Sequence, residues 1–437
     1  MTAVSCRTGM TGSRVVLALV TVACASGETS QLPYRTLMTS AGDTTIARTV
    51  GDVPDSLVRS LTMEWQSASN PDDSTTTIGD IREIAVARDG RLFIWDNATP
   101  ALWAMDAAGR SARRISRAGG GPGEYGHVNG IAIRSDGRLV VWDQGNVRLN
   151  VYDADGAFLS SSTVPFSFCC PGGRVSADTR NQTWLRAVLF DFNKKGKARA
   201  PGVDKEIRAF YRFDSSGTLV DTVLIAKLSG DHPALTAINA TRTGISMSSR
   251  SMPYGTGTMV AVTPAGQLIY GQGRPYVLYA ESNGKPLRIE REAPAVPVSD
   301  DERSQIRTQI EFDMHRNVPS WTWDGPPVPS DKPFYSEITV ADDGRLWVAL
   351  SMPSEKFEPD PPSSTQPNPR PRVTYRPHEQ RWDVFEPDGR YLGQVRAPRL
   401  FEAYVMRGDT IWGTLRDEND LPAVVKMRLD RPFQGNR

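Results

Sequence analysis

The chain has 437 residues, enough for one large repeat fold or two ordinary domains. Its 51 Lys plus Arg stand against 50 Asp plus Glu, which excludes a global field that would draw in nucleic acid or a membrane surface. With 37 Gly, 32 Pro and ten Trp, the chain reads as turn-rich and β-patterned rather than heptad-like.

In chain order, Arg14 precedes an apolar run over residues 15–23. That is the length of a secretion signal and too short to span a bilayer. The run ends in Ala23-Cys24-Ala25, which fits either an ordinary cleavage site or lipoprotein processing at Cys24. Residues 1–25 are therefore predicted as a signal peptide. The protein is expected to be exported, whether periplasmic, outer-membrane-anchored or extracellular, and to meet a membrane only through a lipid at Cys24. Residues 26–57 are polar and mixed and read as a tether, with strand material at 45–50; residues 61–65 alternate apolar and polar. Cys169 and Cys170 are adjacent, so their Cα atoms lie about 3.8 Å apart, below the usual disulfide span, and two packed thiols are expected.

From residue 84 the chain repeats. Residues 131–133 form an apolar run of strand length, followed by the turn Ser135-Asp136-Gly137-Arg138. Leu139 to Trp142 is a second run, Val147 to Tyr152 a third, and a fourth begins after Asp153-Ala154-Asp155-Gly156. Gly90 and Gly109 are 19 residues apart, as are Gly137 and Gly156, and this equality marks two copies of one unit. Four weaker copies follow, at residues 175–225, 259–290, 338–390 and 404–429. In all six, the second run is apolar on both faces, as expected where each sheet is covered by a neighbour on either side. The last copy has only three runs, and residues 45–50 or 61–65 are the strand material available to complete it against residues 423–429.

The block at residues 117–160 resembles an NHL repeat through Gly123, Gly130-Ile131-Ala132-Ile133, Asp136-Gly137, Asp143, Asn146, Arg148, Tyr152-Asp153 and Gly156. Its loop Gly119-Gly120-Gly121-Pro122-Gly123-Glu124-Tyr125 looks like one common in bacterial secreted six-bladed propellers. The resemblance implies an all-β, six-bladed β-propeller of four-stranded antiparallel blades over residues 58–437, closed by an N-terminal strand.

Function is expected on one face. The long insertions, at residues 186–206, 226–257, 293–335 and 351–381, all fall between strands two and three or between blades. Residues 300–315 have helical spacing with Asp300-Asp301-Glu302 in the first turn. Residues 351–381, with the Pro-rich run 358–372 inside them, read as a floppy or polyproline flap. Trp321 and Trp323 either stack on a sugar or peptide or pin their loop to the ring. No GxSxG, HExxH or P-loop is present. The primary expectation is thus a binding scaffold, without cofactor, for a peptide, glycan or envelope protein. The alternative is a metal-dependent hydrolase. Glu83, Asn129 and Glu337 stand at the start of strand one in three blades, where lactonase-like propellers hold a divalent metal with Glu, Asn and Asp. Asp153–Gly156 lacks the late Glu of a calcium loop and reads as a turn; Glu124 is expected to accept backbone N–H bonds within the glycine loop.

Overall fold

The computed structural model describes residues 32–67, 78–165, 168–169, 174–189, 207–225, 228, 234–241, 244–358, 369–416 and 422–433. The signal segment 1–25, Cys24, Cys170 and the side chain of Cys169 lie outside the described residues, as does residues 190–206 of the blade-three insertion.

The ring has six blades. Blade one is Ile81–Val86, Leu92–Asp96, Ala101–Met105 and Ala112–Arg114; blade two is Val128–Ile133, Leu139–Asp143, Arg148–Tyr152 and Phe158–Thr163. Blade three is Ser176–Ala177, Thr183–Leu189, Ile207–Phe213 and Leu219–Leu224, with Phe168–Cys169 added beside its second strand. Blade four is Met259–Val262, Leu268–Gly271, Val277–Ser282 and Lys285–Arg291; blade five is Tyr335–Val340, Leu346–Leu350, Gln380–Phe385 and Tyr391–Ala397. Blade six is Phe401–Arg407, Thr410–Arg416 and Pro422–Leu429, completed by Arg59–Gln66 from the N-terminal side.

Strand two is buried on both faces in blades one and two, Leu92–Asp96 and Leu139–Asp143, whereas in blade four Leu268–Gly271 alternates buried and half-buried. The core is accordingly divided into clusters that lie between blades. Phe93, Trp95, Tyr125 and Ile131 join blades one and two; Ile84, Tyr404 and Trp412 join one and six. The turn before strand two needs a left-handed residue, which Gly137 supplies at φ 83°.

The closing strand is the one at residues 61–65. Leu61 pairs with Leu429 and Gln66 with Val425, antiparallel, while Arg59 and Ser60 run parallel to Val395 and Arg396 of blade five. One strand thus covers an edge of two blades. The other N-terminal segment corrects the tether reading. Arg35–Ala41 and Thr44–Val50 form a hairpin, and Thr44–Val50 runs parallel to Lys285–Arg291, so blade four gains two outer strands. Ala47 is wholly buried and packs with Ile289, which explains why the segment docks there.

Within the glycine loop, Gly121 N–H donates to Glu124 Oε2 at 2.9 Å and Arg117 Nε to Oε1 at 2.8 Å, so Glu124 does accept a backbone bond. Asp143 Oδ1 takes the N–H groups of Gly126, His127 and Asn146 at 3.0–3.2 Å, fixing the loop to strand two. Asp153 Oδ1 accepts from Asp155 and Ala157 N–H, an Asx-type turn.

Candidate functional site

Strand one of every blade faces the ring axis, and together they enclose a central channel of about 1100 Å³. At the end of strand one, neighbouring blades are fastened to one another. Arg407 of blade six donates to Val86 and Ala87 carbonyls of blade one and pairs with Asp342 of blade five at 2.7 Å. The other end opens toward the insertions, where Ala234, Ser251, Met252 and residues 255–258 join the lining.

Three insertions fold together into a cap. The helix Asp300–His315 forms where its spacing predicts, N-capped by Ser299, whose Oγ accepts Glu302 N–H at 3.2 Å. A hairpin, Leu235–Thr241 with Gly244–Arg250, packs on it around Met314, Leu235, Ala237, Met252 and Trp321. Trp321 is buried and its Nε1 donates to Thr236 O; Trp323 Nε1 donates to Pro326 O, with Arg307 5.1 Å above its ring. These two tryptophans therefore pin the insertions together.

The Pro-rich segment is held rather than floppy at its stem. Ser354–Lys356 and Tyr375–Pro377 pair, and residues 359–368 lie outside the described residues. An extended Pro-rich chain makes no internal hydrogen bonds, so its backbone must be satisfied elsewhere. Gln305 and Gln309 do so, and Asp313, the next residue four on along the same helix face, holds an Arg side chain of the segment. Gln305 Oε1 accepts Thr374 N–H, Gln309 Nε2 donates to Pro371 O, and Asp313 takes both Arg370 Nε and Nη2 at 2.8 and 2.5 Å. Beneath them, buried Glu302 bonds Tyr254 and Ser354, and Lys332 Nζ donates to Ser354 Oγ at 2.6 Å, so one cluster touches all three insertions.

Glu83 and Glu337 both line the channel mouth. Asn129 does not join them: its Nδ2 donates to Gln144 Oε1 at 3.0 Å. Register is the cause. Glu83 pairs with Trp95, Gly130 with Trp142 and Glu337 with Ala349, while Asn129 is the extra residue of a β-bulge. Gly130 holds the equivalent place, and a Cβ there would lie 2.8 Å from Val175 Cγ2, so no oxygen ligand fits. The donors needed for a lactonase-like metal centre are thus not assembled. Among the described residues no three His, Cys, Asp or Glu form a group able to hold a metal.

Two residues not singled out in the sequence act on Glu83: Arg174, which also lines the channel, and Glu402. Burial pushes the Glu83 carboxyl up from an ordinary 4.5 to about 7, opposed by the nearby Arg174 charge and reinforced by Glu402. A carboxyl whose folded pKa is raised contributes stability that is present at low pH and lost as pH rises from about 4.5 through 7. Glu83→Gln is therefore expected to raise the unfolding free energy by about 1–2 kcal/mol at about pH 8 and to leave it unchanged at about pH 4. Urea unfolding at both pH values checks this, and an equal effect at both would contradict it.

Comparison with known proteins bears on the fold. Residues 72–208 match a family model described as a six-bladed beta-propeller. No curated protein matches. Among solved structures, a member of the duf4221 family from Bacteroides vulgatus is 12% identical, with a TM-score of 0.47, over 85% of this chain and 98% of its own. A gluconolactonase from Xanthomonas campestris is 12% identical at a TM-score of 0.39, over 84% and 96%. Virginiamycin B lyase from Staphylococcus aureus, 12% identical at 0.38, matches over 84% and 99%. At these values the three structures say nothing of ligand or reaction here. The protein is a six-bladed β-propeller.

Proposed function

We propose that this is an exported, NHL-like propeller that binds an extracytoplasmic ligand in the channel mouth, beneath the cap formed by its insertions. The observation that carries this reading is the channel itself. It is lined by strand one of all six blades and reaches the clustered insertions, where Ala234, Ser251, Met252 and residues 255–258 join its wall. Concave sites with a few convergent polar groups are where ligands bind. The mouth offers Glu83, Glu337, Ser336 and Arg174 over an apolar wall of Phe210, Met252 and Val260. Export follows from the signal-like segment 1–25, and Cys24 is a candidate anchor.

The test is a peptide and glycan array read with the mature protein, followed by affinity measurements on two variants. Ser336→Trp fills the mouth from an exposed position; Val220→Arg alters an exposed site on the outer strand Leu219–Leu224. The first is expected to weaken binding of the best array ligand by about tenfold or more, the second to leave it unchanged. Equal affinities for all three proteins would overturn the reading.

A further inference from the structure

Arg174 stands at the entry to blade three, yet its guanidinium is docked on blade six, the blade directly across a six-membered ring. Nη2 donates to Ala403 O at 2.9 Å, Nη1 to Tyr404 O at 3.2 Å, and the group lies 5.0 Å from the Tyr404 ring centroid. The acceptors are available because of a β-bulge. Ala403 pairs with Gly413 and Val405 with Trp412, leaving Tyr404 as the extra residue, so the local ladder is broken and these carbonyls are presented to the channel. Arg174 therefore spans the channel from blade three to blade six, and a ligand entering from the cap meets its guanidinium.

Both present acceptors are neutral carbonyls. A carboxylate offers the same fork two parallel, charge-assisted bonds of roughly twice the strength. Tyr404 and Ala403 carbonyls released by Arg174 would face a water-accessible channel, so their loss is largely offset by hydration. A guanidinium spanning the channel obstructs a chain threading through but can receive a chain terminus, and the C-terminus of a polypeptide is a carboxylate. Phe210, Met252 and Val260 supply an apolar wall for its last side chain.

Resting on the channel-mouth reading above, we propose that Arg174 is the anchor for a peptide C-terminal carboxylate, which draws the guanidinium off the blade-six carbonyls as it binds. The titratable groups around this anchor are Glu83 of blade one and Glu402 of blade six, with the Tyr404 phenol held neutral by burial and Glu337 of blade five on the same lining. An ionised Glu83 competes with the ligand for Arg174. Its carboxyl titrates near 7, so carboxylate binding tightens as pH falls.

The experiment titrates N-acetyl-trialanine, and the same peptide as its C-terminal amide, into the mature protein by NMR. The free acid is expected to bind about tenfold more tightly than the amide, and several-fold more tightly at about pH 5.5 than at about pH 8. Arg174→Ala should bind acid and amide alike, Arg174→Lys should keep part of the preference, and Glu83→Gln should flatten the pH profile. A crystal soaked with the acid should show Arg174 on the carboxylate. Equal binding of acid and amide by the parent protein, no binding of either, or a preference that survives in Arg174→Ala overturns the anchor. So does an array that yields only uronate glycans. If array ligands still depend on Ser336 while the acid preference is absent, the anchor fails and the channel-mouth reading stands. If they ignore Ser336→Trp, both fail.

Discussion

Replacing Asp383 with Leu is expected to lower the unfolding free energy by about 3–5 kcal/mol. Asp383 is fully buried on strand three of blade five. It accepts Arg291 Nε at 2.7 Å, Tyr276 OH at 2.6 Å, Tyr391 OH at 2.6 Å and Gln394 Nε2 at 3.1 Å. Tyr276 and Arg291 belong to blade four, so a single carboxylate fastens two blades. Burial and the Asp383 charge hold both phenols well above their ordinary pKa, so they stay as donors. Removing the carboxylate strands Arg291, which is only 8% exposed, without a counter-charge. The double variant Asp383→Leu with Arg291→Met should recover most of the loss, because a buried pair replaced by apolar groups of similar volume is often neutral. Urea unfolding of the three variants checks both statements. A loss below about 1 kcal/mol in Asp383→Leu would show that the network does not fasten the blades.

Deleting every residue before 68 is expected to lower the melting temperature by about 10 °C or more and to cause aggregation. The deletion removes Arg59–Gln66, exposes the edges of blades five and six, and takes Leu61 out of a core that includes Trp347, Trp382 and Phe401. It also removes the Ser60 and Val58 carbonyls that receive Asp430 N–H and Arg431 Nη2. Deletion up to residue 50 keeps that strand and strips only the outer hairpin of blade four, so its effect should be smaller. It is not expected to be zero, because Tyr34 and Ala47 pack against blade four and five residues such as Ile289 and Tyr391. Two deletions that melt alike would contradict the closing role of Arg59–Gln66.

What could be read from sequence was what repeats locally. The equal Gly90–Gly109 and Gly137–Gly156 spacings reflect strand and turn lengths, which are set within a blade. The alternation at residues 61–65 marked a strand lacking a local partner, and the incomplete last blade supplied one. The helix at Asp300–His315 showed its acidic first turn and its period. Of the hairpin Arg35–Val50 only the second strand showed, as strand material at 45–50; Arg35–Ala41 was hidden because its side chains are mostly exposed, so nothing in its pattern separates it from a linker. Asn129 was misplaced by one residue, since a bulge changes which side chain faces the axis without changing the apolar pattern around it. Asp383 and Arg174 were invisible for another reason. Their partners on other blades are 92–107 and about 230 residues away, and no local pattern records which distant groups a charged side chain will meet.

The most direct measurement of the central claim, that ligand binds in the channel mouth under the cap, is hydrogen–deuterium exchange with the best array ligand. The account predicts new protection in residues 81–85, 174–177, 256–261 and 335–339, which begin strand one in four blades and line the mouth, and none in the outer strands Phe158–Thr163 and Leu219–Leu224. Protection confined to the outer strands, with the mouth unchanged, would contradict it.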